Sequence, residues 1–170
     1  ETDWQDVVFE KNAPIQNYYI SADGATEKAS YAISANYFNQ EGIIMDSYYK
    51  RFTFRVNTAL KVNNWLRIGE NLSLMTSSNR DAPTNNSEYS LLNSAIRLAP
   101  WDPVRFPNGQ ISASTIANSA NPLSMVEYIH PKSNWDRLVG DAFIEITFLK
   151  GLVFKSDFGL DLSYGRTSTF

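Results

Sequence analysis

Apolar and polar side chains alternate along six stretches of this chain, and this long alternation limits the fold more than any other feature. The stretches span residues 15–23, 30–40, 50–62, 66–77, 137–149 and 152–163. In the third, Phe52 and Phe54 fall on one side of an extended backbone and Arg51 and Arg55 on the other, because successive side chains of a strand point to opposite faces. Four stretches reach 12 or 13 residues. Strands of soluble proteins usually have about 5–6 residues, whereas a tilted membrane-spanning strand needs about 9–11. The pattern therefore predicts an all-β protein whose antiparallel strands have one apolar and one polar face.

Short and long connections alternate along the chain. Residues 24–27, 63–65 and 150–151 form short connections, while residues 41–49 and the loop 79–135 form long ones. An up-and-down meander with short turns at one end and long loops at the other is typical of a transmembrane barrel, in which the short turns are periplasmic and the long loops extracellular. One-sided burial also fits a soluble β-sandwich, and a soluble carbohydrate-binding module of that kind is the alternative prediction.

Aromatic residues support the barrel prediction, because membrane barrels carry aromatic girdles at both interfaces. The long-loop end is predicted to carry Tyr37, Phe38, Tyr48, Tyr49 and Phe52, and the short-turn end Tyr18, Tyr31 and Trp65. Apolar strand residues are predicted to face lipid, and they are Phe52, Phe54, Val56, Leu60, Leu72, Leu74, Ile144, Ile146, Phe148, Phe154, Phe158 and Leu160.

Composition excludes several functional classes. The chain has no Cys, so disulfides, thiolate metal sites and Cys nucleophiles are excluded. A net charge of −3 gives no electrostatic footprint for DNA or RNA, so no nucleic-acid partner is predicted. No apolar run approaches 18 residues, so no transmembrane helix is predicted.

Catalytic residues are also scarce. His130 is the only histidine and lies in the long loop, so neither a histidine-based metal site nor a Ser-His-Asp triad can be assembled. Carboxylates four residues apart, Asp157 with Asp161 and Asp141 with Glu145, are interpreted as a wet, charged wall rather than as acid and base catalysts. The chain is therefore predicted not to be an enzyme and to have no catalytic residue, cofactor or metal.

The long loop is predicted to contain a short helix and a binding surface. Asn86 or Ser87 can cap a helix over residues 88–99, which Pro100 ends. Loops of this length are usually functional or disordered, and the helix and the aromatic side chains argue against disorder. Aromatic rings with polar neighbours are suited to binding a sugar or a peptide. An equally strong alternative is that these side chains pack against other loops or a partner protein. The predicted substrate-binding residues are Tyr89, Trp101, Asp102, Phe106, Tyr128 and Trp135.

Seven short motifs extend over nearly the whole chain. They are Thr2-Asp3-Trp4-Gln5-Asp6, Ala13-Pro14-Ile15-Gln16-Asn17-Tyr18, residues 24–28 with Tyr31, residues 36–43, Lys50-Arg51-Phe52, Val62-Asn63-Asn64-Trp65-Leu66 and Leu149-Lys150-Gly151-Leu152. In this order and spacing, the chain resembles the SusC/RagA family of TonB-linked outer-membrane transporters of Bacteroidetes.

The resemblance implies that the six strands are part of a 22-stranded barrel in contact with outer-membrane lipid, with one long extracellular loop containing the short helix. Residues 1–14 would belong to the preceding outer loop. The N-terminal plug domain of the family, through which TonB acts, is not visible in this chain. The resemblance also implies a SusD-like surface lipoprotein as partner and an oligosaccharide or peptide as substrate, taken up as a nutrient.

Overall fold

Six antiparallel strands form one sheet in the order β1-β2-β3-β4-β5-β6. The computed structural model describes residues 1–82, 90–128 and 131–169. The strands are β1 (Ile15–Ala25), β2 (Ala29–Glu41), β3 (Tyr48–Lys61), β4 (Leu66–Arg80), β5 (Lys132–Leu149) and β6 (Leu152–Ser168). Each strand pairs with the next one along the chain, so the predicted antiparallel meander is confirmed. The second sheet that a sandwich requires is not found among the described residues.

The strands extend beyond the apolar alternation at the long-loop end. The loop predicted over residues 79–135 is shorter than expected, because Asn79 still pairs with Ser133 and β5 begins at Lys132. Side chains there are polar, and the alternation that marked the strands in the sequence fades. The backbone ladder does not need apolar side chains, so it continues past the point where the apolar pattern ends.

The pairing register separates an apolar face from a polar face. Phe54 lies opposite Leu74, and Leu74 lies opposite Leu138, so these three side chains share the apolar face. All of the residues predicted to face lipid lie on this face by register except Phe148, which falls at an irregularity of the β5–β6 ladder between Thr147 and Leu149. An irregularity of this kind inserts a residue and breaks the alternation, so periodicity alone does not fix the direction of Phe148.

An aromatic row crosses the apolar face near the long-loop end. The register aligns Tyr18 with Tyr37 and Tyr37 with Phe52, and the first two rings are stacked with centroids 6.5 Å apart. The prediction that Tyr18 lies near a short turn is therefore wrong. Strand β1 starts at Ile15 on the long-loop side and reaches the short-turn side only at Ala25, so position 18 is early in the strand.

Three short helices pack together beyond the long-loop end of the sheet. They are α1 (Trp4–Val8), α2 (Leu91–Arg97) and α3 (Pro122–Tyr128). The buried apolar core of the described residues lies here and not in the sheet; it consists of Trp4, Val8, Leu91, Ala95, Leu98, Met125 and Val126. We call the assembly of residues 1–10, 42–47 and 90–128 the loop cap. Its helices bury apolar side chains against one another, and the sheet contributes none to this core.

The helix predicted over residues 88–99 is shorter in the structure. Strand-like backbone angles at Ser90 (φ −75°, ψ 151°) place the start of α2 at Leu91, and the Ser90 hydroxyl caps it by accepting from the Asn93 N–H at 3.3 Å. The proposed caps Asn86 and Ser87 lie outside the described residues. Helices α1 and α3 were not predicted from the sequence. Among the described residues, no helix has the length and apolar character needed to cross a membrane.

Arg80, the last residue of β4, ties the loop cap to the sheet. Its guanidinium forms an ion pair with Asp46 in the β2–β3 loop and donates to the Val126 carbonyl of α3 at 2.8 Å. Within the cap, backbone bonds join residues 1–10 to residues 42–47, since Glu10 donates to Ile43 at 2.8 Å and Met45 donates to Val8 at 2.9 Å. The long-loop end of the sheet is therefore covered by a single packed assembly.

Candidate functional site

The polar face of the sheet contains two neighbouring concavities. The first encloses about 580 Å³ and is lined by Asn17, Tyr19, Ser34, Asn36, Phe38, Arg51, Thr53, Arg55, Ser73, Met75, Arg137 and Val139. The second encloses about 710 Å³ and is lined by Tyr49, Met75, Ser77, Asn79, Asp81, Trp135, Asp136, Arg137, Asp161 and Ser163. Because Met75 and Arg137 line both, the two concavities form one continuous candidate site.

Three of the six cations on the polar face of the described strands are paired with carboxylates on a neighbouring strand or on the same strand. Arg137 makes a bidentate contact with Asp161, with Nε to Oδ1 at 2.9 Å and Nη2 to Oδ2 at 2.5 Å. Near the short turns, Arg67 faces Glu145 at 3.7 Å, and Lys155 contacts Asp157 on its own strand at 3.1 Å. The carboxylates that were interpreted from the sequence as a charged wall thus include the partners of these cations.

Arg51 and Arg55 differ from the paired cations. Within the described part of the chain, neither guanidinium has a carboxylate within salt-bridge distance. Arg51 lies over the Phe38 ring at 5.8 Å, and its Nε is buried without a hydrogen-bond partner. The first concavity has three arginines and no acidic residue in its lining, so it is a site of positive potential.

Trp135 is positioned in the second concavity by a glycine on the next strand. Trp135 pairs directly with Gly165, and a Cβ added at Gly165 would come within 2.6 Å of the indole ring. The missing side chain therefore gives the ring room to lie flat across β6. Trp135 is one of the predicted binding residues, and the structure brings it next to Tyr49 and the Arg137–Asp161 pair.

The other predicted binding residues lie in the loop cap, away from these concavities. Trp101 and Tyr128 are exposed, at 72% and 66% of their surfaces, and Phe106 is partly exposed. Asp102 is 2% exposed, and its carboxylate accepts from the Thr115 N–H and hydroxyl at 2.8–3.0 Å. Asp102 therefore holds the loop together in this structure. Tyr89 lies outside the described residues, as does His130.

Sequence reasoning did not select the residues that line the first concavity. Arg51 and Arg55 were placed on the polar face but not distinguished from the other cations there. Alternation shows which face a cation occupies, but the carboxylate opposite it is set by the register of another strand. For Arg137 and Asp161 that separation is 24 residues along the chain. Among the described residues, no group of three His, Asp or Glu side chains could hold a metal ion.

Comparison with known proteins identifies several similar proteins. No protein-family model matches it. The chain is 25% identical to TonB-dependent receptor P3 of Formosa agariphila, over 93% of this chain and 16% of that protein. It is 26% identical to the TonB-dependent receptor SusC of Bacteroides thetaiotaomicron, over 99% of this chain and 19% of that protein. The RagAB peptide importer, solved in its closed-closed state, superposes with a TM-score of 0.79 and 27% identity over 98% of this chain and 19% of that chain.

The chain is similar to TonB-dependent receptors of the SusC/RagA type over nearly its whole length. It spans about a sixth to a fifth of the length of the relatives it matches. A second structure of RagAB, described as a peptide transporter, gives a TM-score of 0.78 at 28% identity, so the six-stranded sheet corresponds to part of the RagA barrel. TonB-dependent receptors are outer-membrane proteins and not enzymes, and these properties of the relatives agree with the predicted location and with the prediction that the chain is not an enzyme.

Proposed function

We propose that this chain forms part of the barrel wall of a 22-stranded outer-membrane transporter that imports oligosaccharides or peptides. Its apolar face contacts lipid, its polar face lines the lumen, and the loop cap is extracellular. The observation that carries the proposal is the stagger of the three hairpin turns at the short-turn end, because closing a sheet into a barrel requires the strands to tilt and their register to shift.

The stagger follows from the register. A row perpendicular to the strands that starts at the last pair of β1 and β2, Ala25 with Ser30, reaches Ala59 on β3 and Phe143 on β5. The β3–β4 hairpin continues two residues beyond this row, to Lys61, and the β5–β6 hairpin continues six residues, to Leu149. Successive turns therefore lie progressively farther along the strand direction.

This stagger corresponds to a strand tilt. Five to six residues at about 3.3 Å each make about 18 Å along the strands, and four strand spacings of about 4.8 Å make about 19 Å across them. If the three turns lie at one depth in the membrane, the strands tilt by about 43°, within the 35–45° typical of outer-membrane barrels. The two packed sheets of a β-sandwich do not require such a shift of successive turns along the strands.

The apolar band agrees with this tilt. At about 43° each residue rises about 2.4 Å through the membrane, so Phe52, nine residues from Lys61, lies about 22 Å above the turn plane. Trp65 lies in a turn and Phe52 lies at the other edge, which bounds a band close to the roughly 25 Å of known barrels. Within that band on the apolar face, Glu70 is the only charged side chain in the described strands.

The loop cap is where we place the partner protein. The RagAB complex implies a SusD-like partner for the family, and Ile96 and Trp101 of the cap are each 72% exposed. Exposed side chains of this size at the long-loop end suit contact with a SusD-like surface lipoprotein that covers the extracellular mouth. TonB would act through the plug domain of the same receptor. Because both solved structures are of RagAB, a peptide importer, a peptide stands beside an oligosaccharide as the proposed substrate.

Fractionation of the source cells tests the proposal. An antibody against residues 90–128 should detect a band several times larger than 19.2 kDa in the outer membrane, and that band should shift on heating before electrophoresis. Protease added to intact cells should cleave within the loop cap if the cap is extracellular. A band restricted to a soluble fraction, or a cap that is protected in intact cells and cleaved only after lysis, would contradict the proposed placement.

A further inference from the structure

The first concavity combines two arginines that have no carboxylate partner with a lining rich in hydroxyl and amide groups. Arg51 and Arg55 lie four residues apart on the same face of β3, and both line the concavity. Ser34 and Ser73 lie directly opposite Arg55 on the two neighbouring strands, so no carboxylate sits beside it in the sheet. A guanidinium presents five donors, and here those donors lie in a concavity that contains no acidic side chain.

The paired cations provide an internal comparison. Arg67, Lys155 and Arg137 are each within 3.7 Å of a carboxylate, whereas Arg51 and Arg55 are not. An uncompensated pair of guanidinium groups on a concave wall attracts an anion, and the planar fork of arginine matches the two oxygens of a carboxylate. The charge of Arg137 is already balanced by Asp161, so the positive potential of the concavity comes from β3.

The position of the pair also fits a ligand that enters from the long-loop end. By the tilt worked out above, Arg55 lies about 15 Å and Arg51 about 24 Å above the turn plane, in the outer part of the wall. Beyond them lies the second concavity, where Trp135 and Tyr49 offer aromatic surface. A substrate passing inward would meet the aromatic side chains first and the arginines next.

We infer that Arg51 and Arg55 bind a carboxylate group of the transported molecule, so that the transporter prefers acidic substrates over neutral ones. This inference rests on the proposed function, since it requires the polar face to line the lumen. The carboxylate can belong to an acidic peptide or to a uronic-acid oligosaccharide. The chemistry of recognition is the same for both, and the experiment separates the two sources.

Binding by the purified full-length transporter tests the inference with two matched pairs of probes. One pair is a C-terminally amidated hexapeptide of alternating Ala and Asp and its counterpart with Asn in place of Asp. The other pair is tetragalacturonate and its methyl ester. We expect the acidic member of at least one pair to bind about tenfold or more tightly than its neutral counterpart at low salt, and to lose most of this preference in 0.5 M NaCl.

The double variant R51Q/R55Q should reduce the preference for the acidic probe to less than about twofold. The matched control R67Q/K155Q removes two positive charges from the same face and should leave the preference unchanged, because those cations are already paired. Both variants should show the heat-dependent band shift of the wild-type protein. The pair of probes that shows the preference identifies the source of the carboxylate.

Three results would overturn the inference. They are the absence of any acidic preference in the wild-type protein, a preference that survives R51Q/R55Q, and an equal loss in R67Q/K155Q. A loss of the band shift restricted to R51Q/R55Q would instead assign the arginines to contacts within the barrel, and would also contradict substrate binding. Failure of the proposed function is recognised separately, by cell fractionation, and does not depend on these binding ratios.

Discussion

A lysine in place of Val56 should test the lipid-facing assignment most directly. Val56 lies on the apolar face opposite Leu72 and Ile33, five residues from the last pair of its hairpin at Lys61. At about 2.4 Å per residue this places Val56 about 12 Å above the turn plane, which is close to the middle of a band about 25 Å tall.

The expected cost depends on that depth. A lysine on the lipid face of a barrel costs about 2–4 kcal/mol at the midplane and about 0–1 kcal/mol near an interface. Val56→Lys should therefore lower the folding equilibrium constant by roughly 30- to 800-fold, since about 1.4 kcal/mol corresponds to tenfold. Phe52→Lys, in the aromatic row about 22 Å above the turns, should cost no more than about 1 kcal/mol.

Denaturant-induced unfolding of the full-length transporter in lipid vesicles measures these costs. Asn57→Lys is the matched control, because Asn57 is adjacent in sequence but lies on the polar face opposite Asn71. It should cost less than about 0.5 kcal/mol, as an exposed polar substitution usually does. If Asn57→Lys costs as much as Val56→Lys, or if the lysines at 56 and 52 cost the same, the assignment of faces or the tilt is wrong.

Three further substitutions probe other features. Arg80→Met should release the loop cap from the sheet, because it removes the ion pair with Asp46. Hydrogen exchange in residues 41–47 should then be faster, with an unchanged band shift. Unchanged exchange would mean that the ion pair is dispensable. Gly165→Ala should cost about 1–3 kcal/mol through its clash with the Trp135 ring and almost nothing when Trp135 is already alanine, so equal costs in both backgrounds would refute the contact. Glu70→Leu should be neutral or stabilising in vesicles, because it removes a charge from the apolar face; a clear destabilisation would mean that Glu70 has a partner outside this chain.

The sequence predicts the sheet well because a strand imposes a strict period of two. The alternation assigns Phe54 and Arg55 to opposite faces of the sheet. Any strand pairing that keeps the apolar side chains on one face must leave these two residues on those faces. The same argument does not fix the direction of Phe148, where the ladder is irregular, and it does not give the position of Tyr18 along β1, which depends on where that strand begins. The period of two shows which face a side chain points to, but it does not show where along the strand the residue lies.

The loop residues were harder to interpret because their roles depend on tertiary contacts. Asp102 and Trp101 are neighbours in sequence and both looked suited to a ligand, yet one is buried against Thr115 and the other is exposed. Neither helical spacing nor composition distinguishes them. The candidate site was missed for a related reason, since Arg51 differs from Arg137 only in what the adjacent strands place beside it.

The loop cap has a consequence for how such a protein is made. The indole N–H of Trp4 donates to the carbonyl of Ala99 at 2.9 Å, and four strands of the wall lie between these two residues in the sequence. If the cap is extracellular, as proposed, the segments that meet in it would have to reach the cell surface separately and could join only after the intervening strands had been inserted into the membrane. Burial of Trp4 would then be a late event in biogenesis, and the cap would close as a surface seal on a wall that is already inserted.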